Sequence, residues 1–257
     1  MGGGAVSAVR PFFSYFGGKW RDAKHYPSPI HGTIVEPFAG SAGYSLRHAS
    51  RKVILCDLDP VIVGVWRYLL RVTPAEVLSL PDLPDGGGSV DDLPLCQEAR
   101  WLIGFWLNRG TTHPCKRPSA WMRRPDAAVA YPGSFWGERV RRRIAEQVEV
   151  VRHWQVFESS YEDCPVTAPA TWFVDPPYQE QGHRYAKGSA GIDFAALGAW
   201  VAALPGQAIA CEQEGADWLP FEPFKATKTS RKGKTSAEVV WTKGCGGQIP
   251  LIPSVVR

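Results

Sequence analysis

Short apolar runs that end in an acid and alternate with helix-forming stretches constrain this 257-residue chain more than any other feature. Residues 34–36 form such a run, closed by Glu36 and followed by a Gly-rich turn and an amphipathic segment, 44–48, which reads as strand, loop, helix. Residues 53–56 form the next run and end at Asp57. Pro60 then opens a helix through Arg71, because proline suits the first helical turn and Ile62, Val65, Trp66 and Leu69 recur at helical spacing. A β-α-β-α start predicts a parallel α/β sheet. Strand signals return at 155–157, 171–174 and 208–211, with a helix at 194–204 before the last, and 224–243 reads as a hairpin around the basic loop 229–235.

The middle of the chain breaks this rhythm. Residues 81–94 are rich in Pro, Asp and Gly, cannot supply a core and mark a loop or insertion boundary. Helices are expected over 95–108 and 135–154, with an irregular, Trp-bearing stretch between them. The division that follows is a main domain from 1–84 and 151–257, interrupted by a mainly helical region, 85–150. Residues 100–152 hold eleven Lys or Arg against four acids, a net of +7 in a chain whose total is only +4. Charge clustered in this way suits a polyphosphate partner, and it also suits a plain solvated helix face. No apolar run approaches the roughly 20 residues of a membrane span, so a soluble chain is expected. The Gly-rich residues 1–9 lack the features of a secretory signal and read as an unstructured lead-in. The six cysteines contain no Cys-x-x-Cys pair, and His113 with Cys115 lacks a second pair at suitable spacing, so no metal is expected.

Two turns carry candidate chemistry. Asp175-Pro176-Pro177-Tyr178 directly follows the buried run 171–174. The two prolines stop the strand and stiffen the turn, which holds an acid and an aromatic ring outside the carboxyl end of a sheet, where open α/β folds place their sites. Such a group suits an exocyclic amine, whose lone pair is delocalised into a ring until hydrogen-bond acceptors draw on its N–H bonds. The Asp175 carboxylate and the Pro176 carbonyl are such acceptors, and Tyr178 offers a face for stacking. No strong base is required, since the proton can leave after the amine has reacted. The second turn is Glu36-Pro37-Phe38-Ala39-Gly40-Ser41-Ala42-Gly43, followed by Asp57 at the end of the next strand. Glycines allow close backbone approach to a ligand, and an acid at the second strand end is where a ribose diol is held. The spacing is not that of a phosphate loop, and Gly233-Lys234-Thr235 lacks the leading glycine and strand, which demotes nucleotide hydrolysis.

With the earlier segment Tyr15-Phe16-Gly17-Gly18-Lys19, these stretches resemble in content and order the Dam-type DNA adenine-N6 methyltransferases. The resemblance implies a Rossmann-like, S-adenosylmethionine-dependent methyltransferase sheet with an inserted target-recognition region. It implies that Tyr15 to Lys19 cover the cofactor, that Glu36, Pro37, Phe38, Ala39, Gly40 and Gly43 form its loop, that Asp57 takes its ribose, and that Asp175 to Tyr178 are catalytic. Leu107-Asn108-Arg109 is similar to the start of the family's recognition block, so Asn108, Arg109, Lys116, Arg117, Arg123 and Arg124 are expected on double-stranded DNA. Tyr185 is placed to close the pocket, and with Arg184 and Lys187 to meet the nucleic acid.

The resemblance spans most of 12–243, although between the motifs only the spacing agrees. Where the family has an acid before an aromatic for the cofactor adenine, this chain has Ser160-Tyr161; where it has Ser-Asn after the fifth strand, this chain has Glu212-Gln213. The implied reaction is direct in-line methyl transfer to an adenine flipped from the duplex, in the cytoplasm of a bacterial or phage-infected cell, with a cognate restriction nuclease as a partner. The tetrad alone also serves cytosine N4, an RNA adenine or a protein glutamine amide. An inactive DNA-binding relative and a small-molecule methyltransferase are the further alternatives.

Overall fold

A computed structural model describes residues 8–83, 88–108, 110–124, 126, 133–180, 182–185, 187–228 and 235–245. Seven strands form one sheet: β1 (Thr33–Glu36), β2 (Lys52–Asp57), β3 (Gln155–Glu158), β4 (Ala170–Val174), β5 (Gly206–Gln213), β6 (Glu222–Lys228) and β7 (Thr235–Lys243). Their spatial order is β3-β2-β1-β4-β5-β7-β6. The first five run parallel to one another, and β7 is antiparallel to both β5 and β6. This α/β order with a reversed β7 is a Rossmann-like sheet. The predicted hairpin is β6 and β7; its basic loop, 229–234, lies outside the described residues.

The central strand shows how the sequence specifies burial. All five residues of β4 are buried, as expected of a parallel strand covered on both faces. Phe173 packs into one core with Phe12, Phe13, Tyr44, Ile62 and Trp66, while Trp172 and Val174 face a second with Ile54, Leu197 and Val201. Helix α1 (Pro60–Leu69) begins where Asp59 accepts a hydrogen bond from the Val61 N–H and proline occupies the first turn. Helix α2 (Pro74–Ser79) carries a capping box in which Thr73 and Glu76 satisfy each other's backbone N–H. Helix α3 (Gln97–Gly104), helix α4 (Glu138–Gln147) and helix α5 (Phe194–Ala203) follow, α5 being capped by Asp193.

Helix α1 stops at Leu69, two residues before the expected Arg71, and three further expected helices are markedly shorter than the apolar pattern suggests. Residues 44–48 yield only a 3₁₀ turn, Ser45–His48. The 95–108 helix stops at Gly104, whose backbone is met by the Pro114-Cys115 segment; a Cβ there would lie 2.8 Å from the Cys115 carbonyl. The 135–154 helix ends at Gln147 and continues as the 3₁₀ turn Val148–Val151. Periodicity cannot see the partner that ends a helix early. Val9, expected in an unstructured lead-in, is buried, and its carbonyl accepts a hydrogen bond from the Trp20 indole.

Residues of the 85–150 region join the main core directly. Leu102, Phe105, Trp106, Val140 and Ile144 pack in the same cluster as Trp66, and α4 lies against α2. Several cations of the basic segment 100–152 are tied inward. Arg141 pairs with Asp82 and lies near the Trp136 ring, Arg143 approaches the Trp106 ring, and Arg152 donates to the carbonyls of Leu70 and Val72 at 2.8 Å each. Among the described residues no helix is long and apolar enough to cross a membrane.

Candidate active site

Strand order reverses between β1 and β4, both parallel, and at such a switch point the loops leave in opposite directions and open a crevice at the strand ends. Glu36 closes β1 and Asp175 follows β4, so the two turns singled out in the sequence meet there. They line one cavity of about 500 Å³, walled by Tyr15 to Lys19, Glu36 to Ser41, Gly43, Asp57 to Asp59, Ser160 to Glu162, Phe173, Asp175, Pro177, Tyr185, Lys187, Gly188, Gly191 to Asp193 and Ala196.

The glycine turn is shaped by its neighbours. Gly40 has φ +45°, and a Cβ there would meet the Tyr15 ring at 3.0 Å. Gly43 is held by contact: a Cβ would fall 2.5 Å from the Trp20 nitrogen and 2.9 Å from that of Lys19. It is therefore the seat on which the 15–20 segment lies across the strand ends. Gly17, at φ +74°, leaves room for the Tyr185 hydroxyl, which donates to the Phe16 carbonyl at 3.4 Å.

The acids of the cavity are held by backbone donors. Glu36 is 2% exposed and accepts the Ser45 N–H at 2.7 Å; burial pushes its carboxyl up to about 8, against the lowering effect of Ser45. Asp57 accepts the Asp59 N–H at 2.9 Å and the Gly40 N–H at 3.0 Å; burial raises it to about 6, with those bonds opposing. Between them the cavity offers a glycine backbone, two acids at adjacent strand ends and an apolar wall. On that wall Phe38 stacks on Tyr161 with centroids 5.6 Å apart. A glycine-rich backbone and an acid at the end of β2, both bordering the cavity, suit a nucleoside.

Lys19 borders the cavity and has a second part besides the expected one. Its ammonium donates to Asp175 Oδ1 at 2.7 Å and Oδ2 at 2.9 Å, and lies 4.8 Å from the Tyr178 ring centre. Burial, the largest single effect, would favour neutral lysine, but Asp175, Tyr178, Glu238 and Cys211, in that order of effect, together outweigh it and hold the ammonium well above the ordinary lysine range. For Asp175, burial raises the carboxyl and Lys19 pulls against it, leaving protonation above the usual carboxylate range. The segment expected only to cover a cofactor thus also supplies the counter-ion of the acidic turn. Nothing in the spacing could announce a partner 156 residues away.

The other expected site residues fall into groups. Tyr15 to Lys19, Glu36 to Gly40, Gly43, Asp57, Ser160, Tyr161, Asp175 and Pro177 border the cavity, while Pro176 and Tyr178 lie beside it, outside its lining. Tyr185 and Lys187 also reach the cavity wall. Asn108 is engaged internally: its amide donates to the Arg117 carbonyl at 3.1 Å and accepts the Ser119 N–H at 2.8 Å, which shapes the turn carrying the cations. Lys116, Arg117, Arg123 and Arg124 are exposed, with Lys116 beside Asp91 and Arg124 beside Asp126. Arg109 and the Arg184 side chain lie outside the described residues. Sequence reasoning passed over Leu58, Glu162, Ile192 and Asp193 on the cavity wall, since none belongs to a motif. Ser160, which replaces the expected acid, accepts the Asp163 N–H and donates to its carboxylate at 2.9 Å.

No protein-family model matches the chain, and no curated protein matches it in sequence. Among solved structures it is similar to a conserved hypothetical protein of Streptococcus pyogenes, at 11% identity and a TM-score of 0.36 over 87% of this chain and 92% of that one. It is also similar to two structures of the rRNA methyltransferase aviRa from Streptomyces viridochromogenes. These stand at 17% and 18% identity, each with a TM-score of 0.44, over 93% and 95% of this chain and 91% and 94% of the other.

Proposed function

We propose that this chain is an S-adenosylmethionine-dependent methyltransferase that modifies the N6 amine of adenine in DNA. One observation carries the reading: the acidic turn at Asp175 and the glycine loop at Glu36 to Gly43 border one cavity at the switch point of the sheet. A methyl acceptor and a methyl donor need that adjacency. The Gly40 and Gly43 backbone and the acid at the end of β2, all on the cavity wall, suit the donor's nucleoside.

S-adenosylmethionine, when bound, supplies an electrophilic methyl carbon. The protein's own residues do the rest. Asp175 accepts an N–H of the target amine, and the Pro176 carbonyl accepts the other, which returns the lone pair to nitrogen. Lys19 opposes the burial that raises Asp175 and so favours the carboxylate form, which works as a hydrogen-bond acceptor and not as a strong base. Tyr178 offers its face to the flipped base, offsetting part of the unstacking cost of a few kcal/mol. Exposed Lys116, Arg117, Arg123, Arg124 and Lys187 meet phosphates.

The resemblance of the motif order to Dam-type enzymes supports adenine in DNA over the other planar amines. Incubation with labelled cofactor and DNA, RNA or free nucleoside, followed by nucleoside digestion, tests it. N6-methyladenine in DNA from the wild type, and none from Asp175→Ala, is the expected result. Label in RNA or cytosine instead would replace the acceptor, and equal label from both proteins would remove the reading.

A further inference from the structure

A buried carboxylate on the neighbouring strand grips the acidic turn from behind. Glu212, near the end of β5, is 1% exposed. Its Oε1 accepts the Gln179 N–H at 2.7 Å and the Trp218 indole N–H at 3.4 Å, and its Oε2 accepts the Gln213 N–H at 2.6 Å. A carboxylate taken out of water at this depth is costly, and three donors aimed at it are the compensation. Gln179 directly follows Tyr178, so the grip lands on the last peptide of the turn. The same stretch is tied again by the Gly182 N–H to the Tyr178 carbonyl at 2.6 Å and by the Ser189 hydroxyl to the Gln179 carbonyl at 3.4 Å.

We infer that Glu212 is a positioning residue: by holding the Gln179 N–H it fixes the direction in which the chain leaves Tyr178, and so the placing of Asp175 and Tyr178 against the acceptor amine. Beyond the prolines the turn has no strand ladder to hold it. Val174 is the last residue of β4 paired with β5, at Ala210, and Glu212 lies two residues farther along the same strand. Its side chain thus extends the attachment past the point where the backbone ladder stops. Glu212 is absent from the cavity lining, so the grip acts on the acceptor side without touching the cofactor side.

The inference rests on the methyltransferase reading for its kinetic part and on the structure alone for its mechanical part, and the test separates them. Full-length wild type, Glu212→Ala and Glu212→Gln are compared by amide hydrogen exchange over 175–180, by kcat and KM for methyl transfer to DNA, and by affinity for S-adenosylhomocysteine. Glu212→Ala should speed exchange at Gln179 while leaving 37–43 unchanged. It should lower kcat on the order of 10- to 100-fold, the scale of a small misplacement, with S-adenosylhomocysteine affinity within about twofold. Glu212→Gln keeps an acceptor for Gln179 and should recover most of kcat; should the alanine variant fail to fold, its milder exchange increase carries the test. Unchanged exchange at Gln179, or unchanged kcat in an active enzyme, overturns the inference. A wild type that methylates nothing removes the functional reading, and the exchange result then still decides the grip.

Discussion

The Lys19 ammonium and the Asp175 carboxylate form a two-point ion pair, 2.7 and 2.9 Å, in which the lysine side chain is 8% exposed and the aspartate's 20%. Breaking a buried pair from one side strands a charge and costs about 3–5 kcal/mol, whereas replacing both partners is far milder. Lys19→Met should therefore lower unfolding stability by about that amount, measured by denaturant titration. Lys19→Met combined with Asp175→Asn should regain most of it. Methyl transfer should be lost in both, because stability and catalysis draw on the pair differently. Equal destabilisation in the single and double variants would show that the pair is not the cause.

The rate profile should carry the same signature. Asp175 must be ionised to accept the amine N–H, and burial raises its protonation above the ordinary carboxylate range. As pH falls, kcat should decline earlier than an exposed aspartate would allow, while S-adenosylhomocysteine still binds. An acid limb at or below the usual aspartate value would contradict this.

Glu36 predicts a stability effect of defined sign. Its carboxyl is raised from an ordinary 4.5 to about 8, with burial the leading cause. Between those values the folded protein binds a proton that the unfolded chain has released, so this group's contribution to stability is full below 4.5 and is lost as pH climbs through 8. The loss is on the order of a few kcal/mol. Glu36→Gln keeps an acceptor for the Ser45 N–H and should flatten that slope in melting curves recorded across the range. A slope unchanged by the substitution would place its origin elsewhere.

Gly43 tests the packing of the 15–20 segment. A methyl group there would press on the Trp20 and Lys19 backbone, whereas at Gly32 nothing lies within 4 Å of the same group. Overpacking of this kind costs about 1–3 kcal/mol. Gly43→Ala should lose that much stability and bind S-adenosylhomocysteine more weakly, with Gly32→Ala near wild type. Matching melting curves for the two would sink the claim.

These relationships mark how far the sequence could be read. Asp175-Pro176-Pro177-Tyr178 and the glycine loop announce themselves because prolines and glycines act on their own backbone, and β4 announces itself because a strand buried on both faces is apolar throughout. The ion pair between Lys19 and Asp175, and the grip of Glu212 on Gln179, depend on which strands become neighbours, and no local pattern encodes that. Helix ends failed for a related reason: Gly104 stops α3 because Pro114 and Cys115 arrive against it. The cations of 100–152 divide the same way, since charge counts cannot tell Arg152, spent on the Leu70 and Val72 carbonyls, from an exposed Arg123.

That division yields the last prediction. Lys116, Arg117, Arg123 and Arg124 are exposed, and their ion pairs with Asp91 and Asp126 are surface pairs of the kind worth little. They are free to exchange those partners for phosphates, each releasing roughly one counterion. Changing all four to Gln should weaken DNA binding on every sequence alike and reduce the slope of log affinity against log salt by about 3 to 4. Changing Arg141 and Arg152, which are tied to Asp82 and to backbone carbonyls, should lower stability and leave that slope in place. Titrations of labelled duplex at several salt concentrations distinguish the two sets. A slope insensitive to the four exposed cations would move the nucleic-acid surface to another face of the protein.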